Sequence, residues 1–313
     1  MTEPTNPPAA ASVPFAQLER LLAVVLTEAD EDPLRFHRLQ ALAGQVLAVP
    51  PDDVDEALFA LFQRATRLSE RYSVGHALAC ALVGDLTAQQ LGWPVDERRV
   101  LAAAALSMNL SMTALQNDLA HRDRPLTPDQ REAVQTHAAR SAGMLRAGGV
   151  ADALWLAVVE RHHGSGGWGL TLATLEPAER LAHVLQRVDV FLAKLSPRAG
   201  RKGLLSPAAA REACVGPDGR PDTVGAAILR VVGFYPPGTW VRLANGEFGV
   251  ALERGARADQ PLVAGVADER RQPLAVPRLR RTEEAEHRVQ GACRTDEVRL
   301  PYGQELLWSL RRG

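Results

Sequence analysis

Five long stretches between Ser69 and Leu195 carry apolar residues at helical spacing, and a sheet cannot bury that periodicity. They run from Ser69 to Leu91, Val95 to about Met112, Thr127 to Leu145, Ala151 to His163 and Pro177 to Leu195. Helices of this kind bury their apolar stripes against one another, so the middle of the chain is expected to be a helical bundle. The third stretch opens Thr127-Pro128-Asp129-Gln130, a capping box with proline at the first helical position, which fixes its start. Three shorter helical stretches precede the bundle, Phe15 to Leu26, Leu34 to Val46 and Val54 to Phe62, punctuated by Pro33 and Pro50-Pro51. Two more follow it, Pro207 to Val215 and Asp222 to Val232. The pattern then shortens and alternates: Thr239 to Leu243 and Glu247 to Leu252 flank Asn245-Gly246 as a hairpin, and Pro261 to Ala267 reads as a further strand. The expected fold is therefore mainly α, a helical bundle with a small C-terminal β subdomain. Its expected divisions are a leader over 1–14, an N-terminal helical region over 15–66, the bundle over 67–200, and helices plus a β-rich subdomain over 201–313.

Charge excludes some function classes. With 36 basic and 37 acidic residues in 313, no global field draws the chain to nucleic acid or to an anionic membrane. No stretch offers ~20 uninterrupted apolar residues, and Met1 to Pro14 lacks the basic and apolar regions of a signal peptide, so a cytoplasmic protein is expected. Cys80, Cys214 and Cys293 are far apart and read as isolated thiols.

The chemistry-bearing residues are histidines. His162 and His163 end an apolar run and lead into Gly164-Ser165-Gly166-Gly167-Trp168-Gly169. Two adjacent imidazoles can ligate a metal, and glycines let backbone approach a phosphate; equally, histidines at a helix C-terminus interact well with its dipole, with Gly164 as the stop. His76, His137 and Asp189 each stand among apolar neighbours in a different helical stretch. A buried ionisable side chain needs a partner or a metal, so these residues suggest a shared polar centre.

The order of these residues resembles the HD-GYP family, a branch of the HD-domain metal-dependent phosphohydrolases whose active members hydrolyse cyclic di-GMP. The likeness runs from about Leu68 to Leu243 and implies an HD-domain-like bundle. In that family a histidine is followed by a His-Asp pair, a lone histidine, a His-His pair, a Gly-Tyr-Pro motif and a final aspartate. His76, His137, His162, His163 and Asp189 occupy the matching places, and the resemblance makes them the metal ligands. Leu126-Thr127 resembles the family's approach to the helix of the lone histidine, and the segment Gly233 to Glu247 resembles the one that often follows the family's core. Arg198 stands where the family commonly has an arginine near the ligand cleft, implying a phosphate contact, although a surface arginine is the other reading. Gly167 and Trp168, with Gly169, replace Gly-Tyr-Pro and suggest a cleft rim or partner-docking surface; Trp168 is expected to be exposed.

The departures carry as much weight. Met108-Asn109 stands at the His-Asp position, Met112 at that of a following lysine, Tyr72 at that of a glutamate one turn before His76, and Gly164 at that of a glutamate after the His-His pair. A neutral amide oxygen cannot replace a bridging carboxylate, and a thioether suits hard cations poorly. His76 and Asp189 are then left as two ligands, whereas His137, His162 and His163 still make a three-histidine site. The cofactor expected is none or one divalent ion, with zinc, iron or manganese as candidates. Two functions follow. One is a cyclic-dinucleotide signalling module without phosphodiesterase activity, with a cyclic dinucleotide and a signalling protein as partners. The other is a phosphohydrolase with a mononuclear site. A third reading has the histidines as core residues bonded to one another.

Overall fold

A computed structural model describes residues 15–27, 34–164, 167–294 and 304–312. The expected leader over 1–14 lies outside the described residues, as do Ser165 and Gly166. Helices α1 (Phe15–Thr27), α2 (Arg35–Leu47) and α3 (Val54–Ala65) lead into α4 (Tyr72–Gln90) and α5 (Val95–Ser107). Next come α6 (Thr113–His121), α7 (Pro128–Ala147), α8 (Ala153–Arg161), α9 (Pro177–Leu195), α10 (Ser206–Cys214) and α11 (Thr223–Val232). Strands β1 (Trp240–Leu243), β2 (Phe248–Glu253), β3 (Leu262–Ala267), β4 (Pro273–Arg281) and β5 (Val289–Ala292) follow, and α12 (Gln304–Ser309) with a 3-10 turn, Leu310–Arg312, ends the described chain.

The helix α4 is the axis of the bundle. From Tyr72 to Ala88 every residue except Gly75 and Leu86 is buried, the signature of a helix that is apolar on all sides and therefore central. Around it pack α5, α9 and α11, with α8 wedged between α5 and α9 and α7 lying on α8. The run Ala102-Ala103-Ala104-Ala105 presents only small, fully or almost fully buried side chains on α5, which lets that helix lie close to α4. Polar groups on so buried a helix must be answered: Asp85 receives two hydrogen bonds from Arg98 on α5, at 2.8 and 3.0 Å, and His76 meets Asp189 on α9.

The capping box at the start of α7 forms as expected. Thr127 Oγ1 accepts from the Gln130 backbone at 3.2 Å, and the Thr127 backbone donates to Gln130 Oε1 at 3.1 Å. The expected single helix from Val95 to Met112 is corrected. Helix α5 stops at Ser107, whose hydroxyl donates back to Ala103 O at 2.7 Å, and a 3-10 turn, Leu110–Met112, redirects the chain into α6. Helix α8 is shorter than expected. Asp152 caps its first turn by accepting from Trp155 N at 3.0 Å, and His162 and His163 lie just past its end.

The five strands form one antiparallel sheet in the order β4-β3-β2-β1-β5. The Asn245-Gly246 hairpin forms, with Gly246 at φ +89°, a conformation that favours glycine. Helix α3 lies against β2, and Phe59 joins Trp240, Phe248 and Trp308 in a second apolar cluster beneath the sheet. Among the described residues no helix is long and apolar enough to cross a membrane.

Candidate metal centre

Three helices converge on the first donor group. His137 projects from α7, and His162 and His163 follow α8, where α8 packs against both α7 and α9. His137 Nε2 lies 3.3 Å from His162 Nε2 and 3.1 Å from His163 Nε2. Each of two rings is set by a carbonyl: His137 Nδ1 donates to Val134 O at 2.6 Å, and His162 Nδ1 donates to Val159 O at 2.7 Å. Because a carbonyl can only accept, the proton of each neutral ring sits on Nδ1, and both Nε2 atoms present lone pairs. Two lone pairs 3.3 Å apart repel unless a cation or proton lies between them. The spacing matches the ~3.3 Å edge expected between nitrogens around a tetrahedral ion held at about 2.0–2.1 Å. Burial pushes His137 below its ordinary range and pushes His162 down to about 4, with the neighbouring His163 adding to both. Both are therefore neutral imidazoles near neutral pH.

The turn beside this group is tied to it through backbone. Ser111 Oγ donates to His137 O at 3.0 Å, and Ser141 Oγ accepts from Ser111 N at 3.1 Å. On the other side, Gln186 Nε2 donates to His163 O at 3.2 Å. The donors are thus held by α7, α8, α9 and the turn together.

A second donor group lies on α4 and α9. His76 Nε2 is 2.7 Å from Asp189 Oδ1, and Cys80 Sγ is 3.5 Å from the same Nε2. Burial pushes the Asp189 carboxyl up, but the His76 hydrogen bond and charge, with His162 and His163 nearby, hold it below its usual range. The ring of Tyr72 stacks on His76, with centroids 5.4 Å apart. In each group the donor atoms lie within 4.8 Å of one another, and no residue belongs to both. Cys80, which by spacing alone reads as an isolated thiol, belongs to this group. The signal was its place four residues after His76, one turn along the same helix face.

Met108 is fully buried in the apolar core, and Asn109 initiates the 3-10 turn, its carbonyl accepting from Met112 N at 3.0 Å. Among the described residues the Asn109 side chain makes no hydrogen bond and joins neither donor group. Arg198 lines a hollow of about 440 Å³ shared with Met112, Gln116, Arg122, Arg124 and Arg201. Gly167 is exposed. Trp168, 38% exposed, lies under the Arg187 guanidinium at 3.6 Å and lines a different hollow of about 1040 Å³ with Trp93, Arg180 and Asp222. Asp222 fixes that loop: it accepts from both Arg187 terminal nitrogens at 3.2 Å and from Gly169 N at 3.3 Å. None of the five His and Asp donors lines either hollow.

No family model matches the sequence. Over 206 residues the chain is 31% identical to a protein of Pseudomonas aeruginosa named cyclic di-GMP phosphodiesterase PA4108, an alignment covering 64% of this chain and 49% of that one. The chain thus spans about half the length of this curated relative. Among solved structures it is similar to Bd1817, an HDG"Y"P protein from Bdellovibrio bacteriovorus, with a TM-score of 0.49, 14% identity and 68% of each chain covered. In sequence the chain is thus similar to a cyclic di-GMP phosphodiesterase over 64% of its length, with Met108-Asn109 where the resemblance places the His-Asp pair.

Proposed function

We propose that the chain is an HD-GYP-like module of cyclic-dinucleotide signalling. In this reading it holds one divalent ion on His137, His162 and His163, does not hydrolyse cyclic di-GMP by a two-metal route, and serves as a binding or scaffold component. The observation that carries the reading is the separation of the donors into two groups that share no residue. Two-metal hydrolysis depends on a charged ligand that offsets the repulsion between the ions and orients the attacking water. Asn109 brings a neutral amide, and Met108 is sealed in the core. The three imidazoles fit a single ion with an open position, and zinc, iron and manganese are the candidates. When bound, such an ion supplies Lewis-acid chemistry and an acidified water. The chain's own part is to hold Nε2 of His137 and His162 outward through their Nδ1 bonds, and to keep Asp189 as a carboxylate beside them.

The open position supports a second reading, a mononuclear phosphohydrolase acting on cyclic di-GMP or another phosphoester with Asp189 assisting. One experiment separates the two: purified protein, loaded with manganese, iron or zinc, is assayed on cyclic di-GMP and on a generic phosphodiester, alongside His137→Ala. The module reading expects no turnover, and a bound-metal content that drops by one ion in the variant. Turnover of a phosphoester that His137→Ala abolishes would favour the second reading. Robust metal-dependent hydrolysis of cyclic di-GMP would overturn the first.

A further inference from the structure

The second donor group contains a thiol that the HD-GYP resemblance does not supply. His76 and Asp189 are placed by that resemblance; Cys80 is this chain's own. We infer that His76, Cys80 and Asp189 form a thiolate-containing site for a single zinc-class ion, with Cys80 as the ligand that replaces the missing pair. This does not rest on the three-histidine reading, since the two groups share no donor.

The geometry supports it on three counts. Cys80 Sγ lies 3.5 Å from His76 Nε2, within the edge of about 3.3–3.8 Å that zinc–nitrogen and zinc–sulfur bonds imply for a tetrahedral site. Asp189 Oδ1, at 2.7 Å from Nε2, has only to draw back by roughly 1 Å or less. The His76 and Cys80 side chains are buried while the Asp189 side chain is 15% exposed, so one edge faces solvent and leaves a fourth position. The short contact to an ionised carboxylate puts the ring proton of a neutral His76 on Nε2. When a cation takes Nε2 the ring proton moves to Nδ1, which is buried and without a partner among the described residues, a desolvation cost that the ion's binding has to offset. The balance is simple: the Sγ–H bond breaks and its proton goes to solvent, the ring keeps one proton, now on Nδ1, and one proton is released per ion. Thiolate, carboxylate and neutral imidazole then cancel the dication's charge, and the sulfur turns selectivity toward zinc or cobalt and away from magnesium.

The test is cobalt(II) titration of the metal-free full chain, read by the near-ultraviolet sulfur-to-cobalt charge-transfer band. The band is expected in the unsubstituted protein and in His137→Ala, and is expected to vanish in Cys80→Ser. Cobalt binding without the band, or a band that survives Cys80→Ser, would overturn the inference. If Cys80→Ser does not fold, zinc-edge absorption on the unsubstituted chain decides: a sulfur shell at about 2.3 Å upholds the site, and nitrogen or oxygen shells alone sink it. Failure of the three-histidine reading shows separately, as a metal content that His137→Ala leaves unchanged.

Discussion

His137 and His162 are fixed by carbonyls of their own helices, Val134 and Val159, each three residues earlier. The donation costs little in backbone order and commits Nε2 of each ring to being an acceptor. Without a cation two such acceptors, 3.3 Å apart, destabilise the fold, and a bound ion turns the same contact into an attraction. Zinc is therefore expected to raise the melting temperature of the chelator-stripped protein, by the equivalent of about 2.7 kcal/mol at a hundredfold excess over Kd. In His137→Ala that three-histidine contribution should be lost; a shift of undiminished size would mean that the group binds no ion. The convergence of the three histidines was legible in the sequence, because histidines recur in its apolar helical stretches and a buried ionisable group needs a partner. Cys80 was not legible in the same way. A cysteine in an apolar helix is ordinary, its place one turn after His76 is a weak signal, and the three-dimensional approach of Asp189 to His76 strengthens it.

At the scale of elements, α4 and α5 are joined by a buried ion pair as well as by packing. Asp85 is 2% exposed, and burial pushes its carboxyl upward against the opposing effect of Arg98. Removing the guanidinium leaves an uncompensated charge in the core, so Arg98→Ala is expected to cost about 3–5 kcal/mol in urea unfolding. Asp85→Asn with Arg98→Met should recover much of that loss, and failure to do so would assign the cost to packing alone. In the sheet, Arg280 on β4 donates to both Glu247 oxygens, at 2.7 and 2.6 Å, and holds that carboxyl below its usual range. A depressed carboxylate contributes stability above the unfolded-state value near about 4.3, and loses it as pH falls through the lower folded value. Glu247→Gln should therefore be less stable than the parent at pH 7, with the gap closing in acid; a gap constant with pH would contradict the pair. Strand β4 was missed in the sequence for a physical reason. It is an outer strand whose two prolines and three arginines suppress the alternation that marks half-buried strands, and they also guard the edge against pairing with other chains. The break after Ser107 was missed because apolar spacing continues through Met108 and Leu110 while the backbone turns. Capping chemistry, by contrast, is local, and the start of α7 could be read directly from Thr127 and Gln130.

Across the whole molecule, the helices ahead of the bundle and the sheet behind it meet at α3. Gln63 Nε2 donates to Gly238 O at 2.6 Å, Arg254 Nε donates to Asp55 at 2.5 Å, and Phe59 packs into the cluster beneath the sheet, its ring 5.6 Å from that of Trp308. The opposite face of α3 contributes Leu58, Leu61 and Phe62 to the main core around α4. One helix thus buries one face in the bundle and another against the sheet, so neither partner can lose order without exposing apolar surface on α3. The expected consequence is a single cooperative transition in calorimetry, with bundle and sheet signals melting together. Phe59→Ala should cost about 3–5 kcal/mol, from lost burial and the cavity left under the sheet. Its further effect discriminates the coupling from simple packing. If α3 links the two parts, fluorescence from Trp240 and Trp308, read in a background with Trp93, Trp155 and Trp168 changed to Phe, and helical circular dichroism should shift to lower denaturant together. Were only the fluorescence transition to move, with the helical signal unchanged, the sheet would be an independent unit and α3 merely its neighbour.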